Sequence, residues 1–307
     1  MKIRVIVNPK AGAGAAGARL PLITRALEAR GVAYDVVQTG GPGDATVLAR
    51  RAREDGVTTI AVVGGDGTLN EVVQAYVGAD GQPIEGPELA LIPAGTGGDF
   101  RRALSVPKHP EAAVQRLLAG KAERVDLGVV DLTGDDGRPV RRAFVNIASF
   151  GVSGKIDRVV NRSPKWMGGR LAFALGSVRA MSTYRNAKVK VRVDGKDWYE
   201  GRVVVVAVAN GRYFGGGMHI APEAVLDDGL FDVVTVGDMS FLESLVVSPS
   251  LYRGKHLAAK RVTSIRGRLV EALPLGPEPV YVDTDGEAPG RLPLAIRVLP
   301  GALTVRA

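Results

Sequence analysis

Gly64-Gly65-Asp66-Gly67-Thr68-Leu69-Asn70-Glu71 follows the β-branched run Thr58 to Val63 and leads into apolar residues at helical spacing. It therefore reads as a buried strand, a tight turn and the start of a helix. Glycines there let the backbone approach an anion, and the free N–H groups of a helix start can bind phosphate. Asp66, set among those donors, would repel a bare anion. Its place is explained if it binds a magnesium ion or orients a hydroxyl, and equally by a structural turn that uses Asp66 as a helix cap.

Outward from that turn, strand and helix patterns alternate through the first hundred residues. Lys2 to Val7, Ala33 to Gln38, Thr58 to Val63 and Leu89 to Ile92 read as strands. Ala15 to Arg30 (with Gly31 as its stop), Asp44 to Glu54 and Leu69 to Tyr76 read as helices. This order predicts a doubly wound, mostly parallel α/β sheet with helices on both faces. Asn8-Pro9-Lys10 ends the first strand, Thr39 the second, the Gly64 turn the third, and Ala94-Gly95-Thr96-Gly97-Gly98-Asp99-Phe100 the fourth. In a parallel sheet all four turns open on one edge, where ligands bind. Their convergence points to a nucleotide site.

From about Val125 the pattern becomes mainly strands. Lys188 to Val193 alternates, Asp194-Gly195 is a hairpin dipeptide, and Trp198-Tyr199 begins the return. Arg202 to Ala209 is a near-continuous apolar run expected to be buried on both faces. Phe231 to Val236 and Ile296 to Val305 read as further strands, and Arg170 to Met181 as a helix. At 307 residues the chain exceeds the size at which a single core stops growing. The expectation is an α/β nucleotide domain over 1–124, rejoined by 293–307, and a mainly antiparallel β domain over 125–292.

The chain has no cysteine, which excludes disulfides, thiolate metal sites and a cysteine nucleophile, and its three histidines are scattered. No apolar run reaches the roughly 18 residues needed to span a bilayer, and Met1 runs straight into a strand pattern. A cytoplasmic protein is expected. The net charge of +8 is concentrated: 138–192 holds thirteen Lys/Arg against Asp157 alone, and 253–268 holds six with no acid. That bias suits an anionic membrane surface. No recognisable nucleic-acid motif accompanies it, so no nucleic-acid partner is expected.

Gly12, Gly14 and Gly17 match GxGxxG, with Asp35 beyond them. However, Asn8 to Ala11 separates strand from glycines, and Asp35 falls near the start of the second strand rather than at its end, against a dinucleotide fingerprint. No GxxxxGK[ST] occurs either. Later in the chain, the turn from Ala221 to Leu230 carries Asp227 and Asp228, oxygen ligands suited to a hard cation. Val282-Asp283-Thr284-Asp285-Gly286-Glu287 ends a strand with three acids, any of which could act as general base toward a hydroxyl.

Taken in order, NPK (8–10), GGDGTLNE (64–71), GTGGDF (95–100), ANGRYFGGGMHIAPEAVLDDGLFDV (209–233) and DGE (285–287) resemble the diacylglycerol kinase family of lipid kinases, which includes bacterial lipid kinases and sphingosine kinases. The resemblance implies ATP held in a cleft between the two domains and a tail that returns to the first. It implies that Asn8, Pro9, Lys10, Ala11, Gly12, Thr39, Gly64, Gly65, Asp66, Gly67, Thr68, Leu69, Asn70, Gly95 and Thr96 bind ATP. By the same resemblance Asp66 serves the metal and phosphates, Asp228 binds Mg²⁺ with the carbonyls of Val225 and Leu230, and Glu287 accepts the proton. Arg102 and Asp126 fall where the family carries a cleft arginine and a junction acid. A membrane lipid is the implied substrate, and a homodimer stays open.

Three positions depart from the family pattern. Gly98 stands where Asn is usual, Arg101 where a small residue is usual, and the Lys10 to Gly14 loop lacks a hydroxyl. The competing readings are an NAD kinase, which also carries GGDG, and an inactive lipid-binding regulator on the same fold. Lys155, Arg158, Arg162, Lys165, Trp166 and Arg170, with Arg253 to Arg261, form the candidate membrane-docking surface.

Overall fold

Strand β3 (Thr59–Gly64) is buried at every position, as expected of a strand covered on both faces. In the computed structural model, which describes residues 2–95, 98–161 and 181–306, β3 lies between β1 (Ile3–Val7) and β4 (Glu88–Pro93). Strand β2 (Tyr34–Gln38) flanks β1, and all four run parallel. Helices α1 (Ala15–Glu28) and α5 (Pro110–Ala119) pack together, as do α2 (Asp44–Glu54) and α3 (Asp66–Val73). A short helix α4 (Asp99–Ala103) follows β4.

The chain forms two compact units, Met1–Leu127 with Pro300–Ala307, and Gly128–Leu299. Both divisions fall inside long strands, β5 (Ala122–Thr133) and β14 (Glu287–Arg306), so no turn residue marks them in the sequence. In the first unit the end of β14 runs parallel to β4, pairing Val305 with Leu89, and Arg306 forms an ion pair with Glu88. Leu303 and Val305 are fully buried there.

The second unit is antiparallel. It contains β6 (Pro139–Phe144), β7 (Ile147–Gly151), helix α6 (Val152–Asn161), β8 (Ala187–Val193), β9 (Lys196–Ala209), β10 (Phe231–Gly237), helix α7 (Phe241–Tyr252), β11 (Val262–Gly267), β12 (Leu269–Pro274) and β13 (Tyr281–Thr284). Pairings run β9 to β7, β13, β14, β12 and β8, then back to β9, closing a ring of six strands. Strands β10 and β11 extend from β9 outside that ring. Val203, Val206 and Val208 join a core with Val191, Val282 and Ile296. Val205, Ala207 and Ala209 join a second core with Ile220, Val234 and Val262. The apolar run of β9 is thus buried on both faces because two cores use alternate residues.

Some expected elements shift. The first helix stops at Glu28 rather than Arg30, because Gly31, at φ +62°, turns the chain out of the helix. Helix α3 begins at Asp66 instead of Leu69, since the Gly65 carbonyl already accepts from Leu69 N–H at 3.2 Å. Trp198 and Arg202 belong to one strand, β9, rather than to two. The Asp194-Gly195 hairpin is present, with both residues at positive φ. The helix expected over Arg170 to Met181 lies outside the described residues except at its last position.

Candidate active site

Parallel strands bring the turns after β1, β3 and β4 into contact. Asn8 N–H donates to the Val63 carbonyl (3.1 Å), and Ala94 and Gly95 N–H both donate to the Gly64 carbonyl (2.9 and 3.1 Å). Thr39 N–H reaches the Val7 carbonyl at 2.9 Å. Backbones approach so closely that side chains have no room. A Cβ on Gly95 would sit 2.6 Å from Gly65 Cα, and one on Gly12, at φ +62°, would sit 2.0 Å from the Ala94 carbonyl oxygen. The glycines of three separate turns are therefore required by one another.

The polar side chains at this edge are held by the same turns. Asn8 Oδ1 accepts from Lys10 N–H (3.1 Å), while Asn8 Nδ2 donates to Thr68 Oγ1 (3.3 Å). Asp66 Oδ2 accepts from Gly98 N–H at 2.7 Å and from Asp99 N–H at 3.3 Å, tying the Gly64 turn to the start of α4. Asp66 Oδ1 makes no hydrogen bond among the described residues. Asp66 thus caps a helix other than its own through Oδ2 alone. Lys10 is exposed, and Thr96 lies outside the described residues.

Two of the departures from the family pattern are neighbours in space. Gly98 has φ +89°, and a Cβ there would lie 3.2 Å from Arg101 Nε. Arg101 occupies the space beside Gly98 and donates to the Val106 carbonyl at 2.6 Å. Arg102 forms an ion pair with Asp99, and Asp126, fully buried, accepts from Gly301 N–H at 2.7 Å.

In the second unit the acids of the 283–287 turn differ in role. Asp285 and Gly286, at φ +53° and +91°, make a two-residue hairpin that pairs Thr284 with Glu287. The Asp285 carboxylate accepts from three backbone N–H groups, those of Val145 (2.9 Å), Asn146 (3.1 Å) and Ile147 (2.9 Å). Asp283 is buried, accepts from Gly286 N–H at 2.7 Å, and lies 3.0 Å from Ser149 Oγ. Burial, and then the neighbouring Asp157 carboxyl with which it shares a hydrogen bond, push Asp283 well above the ordinary carboxyl range. Glu287 alone of the three is exposed. The Asp157–Asp283 pair was missed in the sequence; the hint was Ser153 and Asp157 four apart on one face of α6.

The expected magnesium ligands lie in the turn before β10. Asp228 Oδ1 accepts from Leu230 N–H at 3.0 Å and Oδ2 is paired with the Arg266 guanidinium. Of the expected set Val225, Asp228 and Leu230, the one carboxylate is thus paired with a cation of the chain itself, at 25% side-chain exposure. Among the described residues no group of three or more acids and histidines is arranged to hold a metal. Of the candidate docking residues, Arg158 stacks over the Tyr281 ring (3.9 Å to its centroid) and pairs with Asp135, and Lys155 donates to the Thr183 carbonyl at 2.9 Å. Arg162, Lys165, Trp166 and Arg170 lie outside the described residues.

The model of the diacylglycerol kinase catalytic domain matches residues 2–130, and that of the YegS C-terminal NAD kinase beta sandwich-like domain matches 146–307. A diacylglycerol kinase of Mycobacterium tuberculosis is 30% identical over 305 residues, covering 99% of this chain and 94% of that protein. Among solved structures, a diacylglycerol kinase from Bacillus anthracis superposes with a TM-score of 0.72 at 26% identity, over 99% of this chain and 96% of that one. An NAD kinase from Archaeoglobus fulgidus in complex with ATP gives 0.53 at 16% identity, over 100% and 94%. That last likeness is one of fold alone.

Proposed function

The chain belongs to the diacylglycerol kinase family, and on that premise we propose that it transfers the γ-phosphoryl group of ATP to a hydroxyl group of a membrane lipid. The observation that carries this reading is the sheet edge where three glycine turns exclude side chains and Asp66 is held through Oδ2 alone. Phosphoryl transfer asks for positioning and charge neutralisation more than for covalent chemistry by the protein. Backbone N–H groups of the turns at 8–12 and 64–70 and of Gly95, with Asn8, Thr39 and Lys10, supply that positioning. Asp66 orients the magnesium ion that enters with the nucleotide as part of the substrate. No step is assigned to Asp228.

Glu287 is the general base. Asp283 is buried and Asp285 is spent on three N–H groups, which leaves the exposed Glu287 as the acid of the turn able to meet a substrate hydroxyl. The lipid oxygen forms a bond to the γ-phosphorus as the bond to the ADP oxygen breaks, and the hydroxyl proton passes to the Glu287 carboxylate. Because the acceptor resides in a bilayer, the enzyme works as a peripheral protein at the membrane surface. No described helix is long and apolar enough to cross one.

The test offers γ-labelled ATP and Mg²⁺ to the protein with a total lipid extract and NAD together. Label in a lipid, lost in Asp66→Asn, is the expected result. Label in NAD would move the chain to the dinucleotide kinase reading, and label in neither would favour an inactive lipid-binding protein.

A further inference from the structure

Helix α7 is apolar on two sides. Val247 and Leu251 pack on the second core, yet Leu242, Leu245, Val246, Pro249 and Tyr252 face outward. Their spacing (i, i+3, i+4, i+7, i+10) is the stripe a globular protein ordinarily turns to its interior. Here Leu242 is 72% exposed, Val246 80%, Tyr252 56% and Leu245 46%. Contiguous apolar surface of this kind marks a contact site rather than ordinary exterior.

The charge around the stripe selects its partner. Arg253, Lys255 and Lys260 are exposed just beyond the C-terminal end of α7 and form no ion pair among the described residues, and no acid occurs from 253 to 268. The one acid on the helix, Glu243, is occupied by the Ser240 capping box and lies 3.5 Å from Arg261. Asp238 is engaged by Asn186 Nδ2 at 2.7 Å. An outward apolar stripe ending in unpaired cations, with a tyrosine at the boundary, has the composition of a helix lying in the interface of an anionic bilayer. A protein partner would bury those cations against acids; a bilayer lets the stripe enter the acyl boundary while the basic side chains stay at the headgroups.

We infer that α7 is a membrane-insertion element that seats the second unit on anionic lipid through Leu242, Leu245, Val246 and Tyr252, with Arg253, Lys255 and Lys260 at the headgroups. The inference deepens the lipid-kinase reading and rests on it only for the purpose of docking. Binding is read without turnover, so either can fail alone.

The experiment is flotation of the full chain with phosphatidylcholine vesicles with and without one quarter phosphatidylglycerol. The wild type is expected to float with the anionic vesicles and much less with the neutral ones. Leu242→Ser with Val246→Ser should weaken that partition at least tenfold, and neutralising Arg253, Lys255 and Lys260 to Gln should cost up to about fivefold per residue at low salt. Turnover of a dispersed short-chain diacylglycerol should be unchanged in the Ser variant. The absence of cysteine permits one label at Val246→Cys. Its fluorophore should be open to iodide in buffer and become quenched by doxyl-labelled lipid on vesicles. Equal flotation of wild type and Ser variant would overturn the proposal. So would a label already shielded from iodide without lipid, or a Ser variant that changes oligomeric state, since the face would then be covered by protein.

Discussion

At the residue scale, Gly98 and Arg101 are two departures from a family pattern that occupy one space. Placing Asn at 98 puts a side chain at φ +89° and a Cβ 3.2 Å from Arg101 Nε. Gly98→Asn should cost about 1–2 kcal/mol, and part of that loss should vanish beside Arg101→Ala. A double-mutant cycle by urea denaturation should show at least about 0.5 kcal/mol of coupling; strict additivity would mean the two departures are independent. Asp283 offers a second test. The unfolded chain releases this proton near the ordinary carboxyl value of 3.8, while burial and Asp157 make the folded chain hold it to higher pH. In between, the native state carries the extra proton, so stability falls as pH rises and levels off once the raised value is passed. Asn cannot ionise. The stability of Asp283→Asn relative to wild type should therefore climb with pH from about 4 upward, as measured by denaturation across pH 4–8, and parallel curves would contradict the shift. The Asp157–Asp283 pair was not legible in the sequence, because the two residues lie on elements far apart in the chain; Gly98 and Arg101 were visible as departures, but not their contact.

At the scale of elements, the hairpin at 283–287 is set by Asp285. Its carboxylate satisfies three backbone N–H groups of the 145–147 segment, and its own backbone sits at positive φ. Asp285→Ala leaves those donors without their acceptor and places Ala in a conformation it resists. A loss of about 3 kcal/mol or more is expected in thermal or chemical unfolding, with Asp285→Asn milder. A loss under 1 kcal/mol would show that the carboxylate does not organise the turn. The sequence showed three acids and left their roles open; burial and hydrogen bonding separate them. The Asp228 turn shows the opposite limit. Its residues match the family pattern, and Asp228 also pairs with Arg266, from β11, a contact that no local pattern could reveal.

Across the whole molecule, the parallel sheet was legible because glycine turns follow apolar strands at regular intervals, and the two-sided burial of β9 because its apolar run is unbroken. The unit boundaries were not, since β5 and β14 pass through them without a turn. Nor was α7, a helix that no expectation from the sequence covered and whose outward face only the structure shows. The arrangement of the acids leads to one decisive variant. Glu287→Gln keeps the size and hydrogen-bonding reach of the side chain but cannot take a proton. The measurement is the single-turnover rate of label transfer from γ-labelled ATP to lipid, with nucleotide occupancy matched by calorimetry. The expected result is ATP binding within about twofold of wild type and transfer slowed by roughly 10²- to 10⁴-fold. Transfer at the wild-type rate with Gln at 287 would contradict the assignment of this turn as the catalytic base.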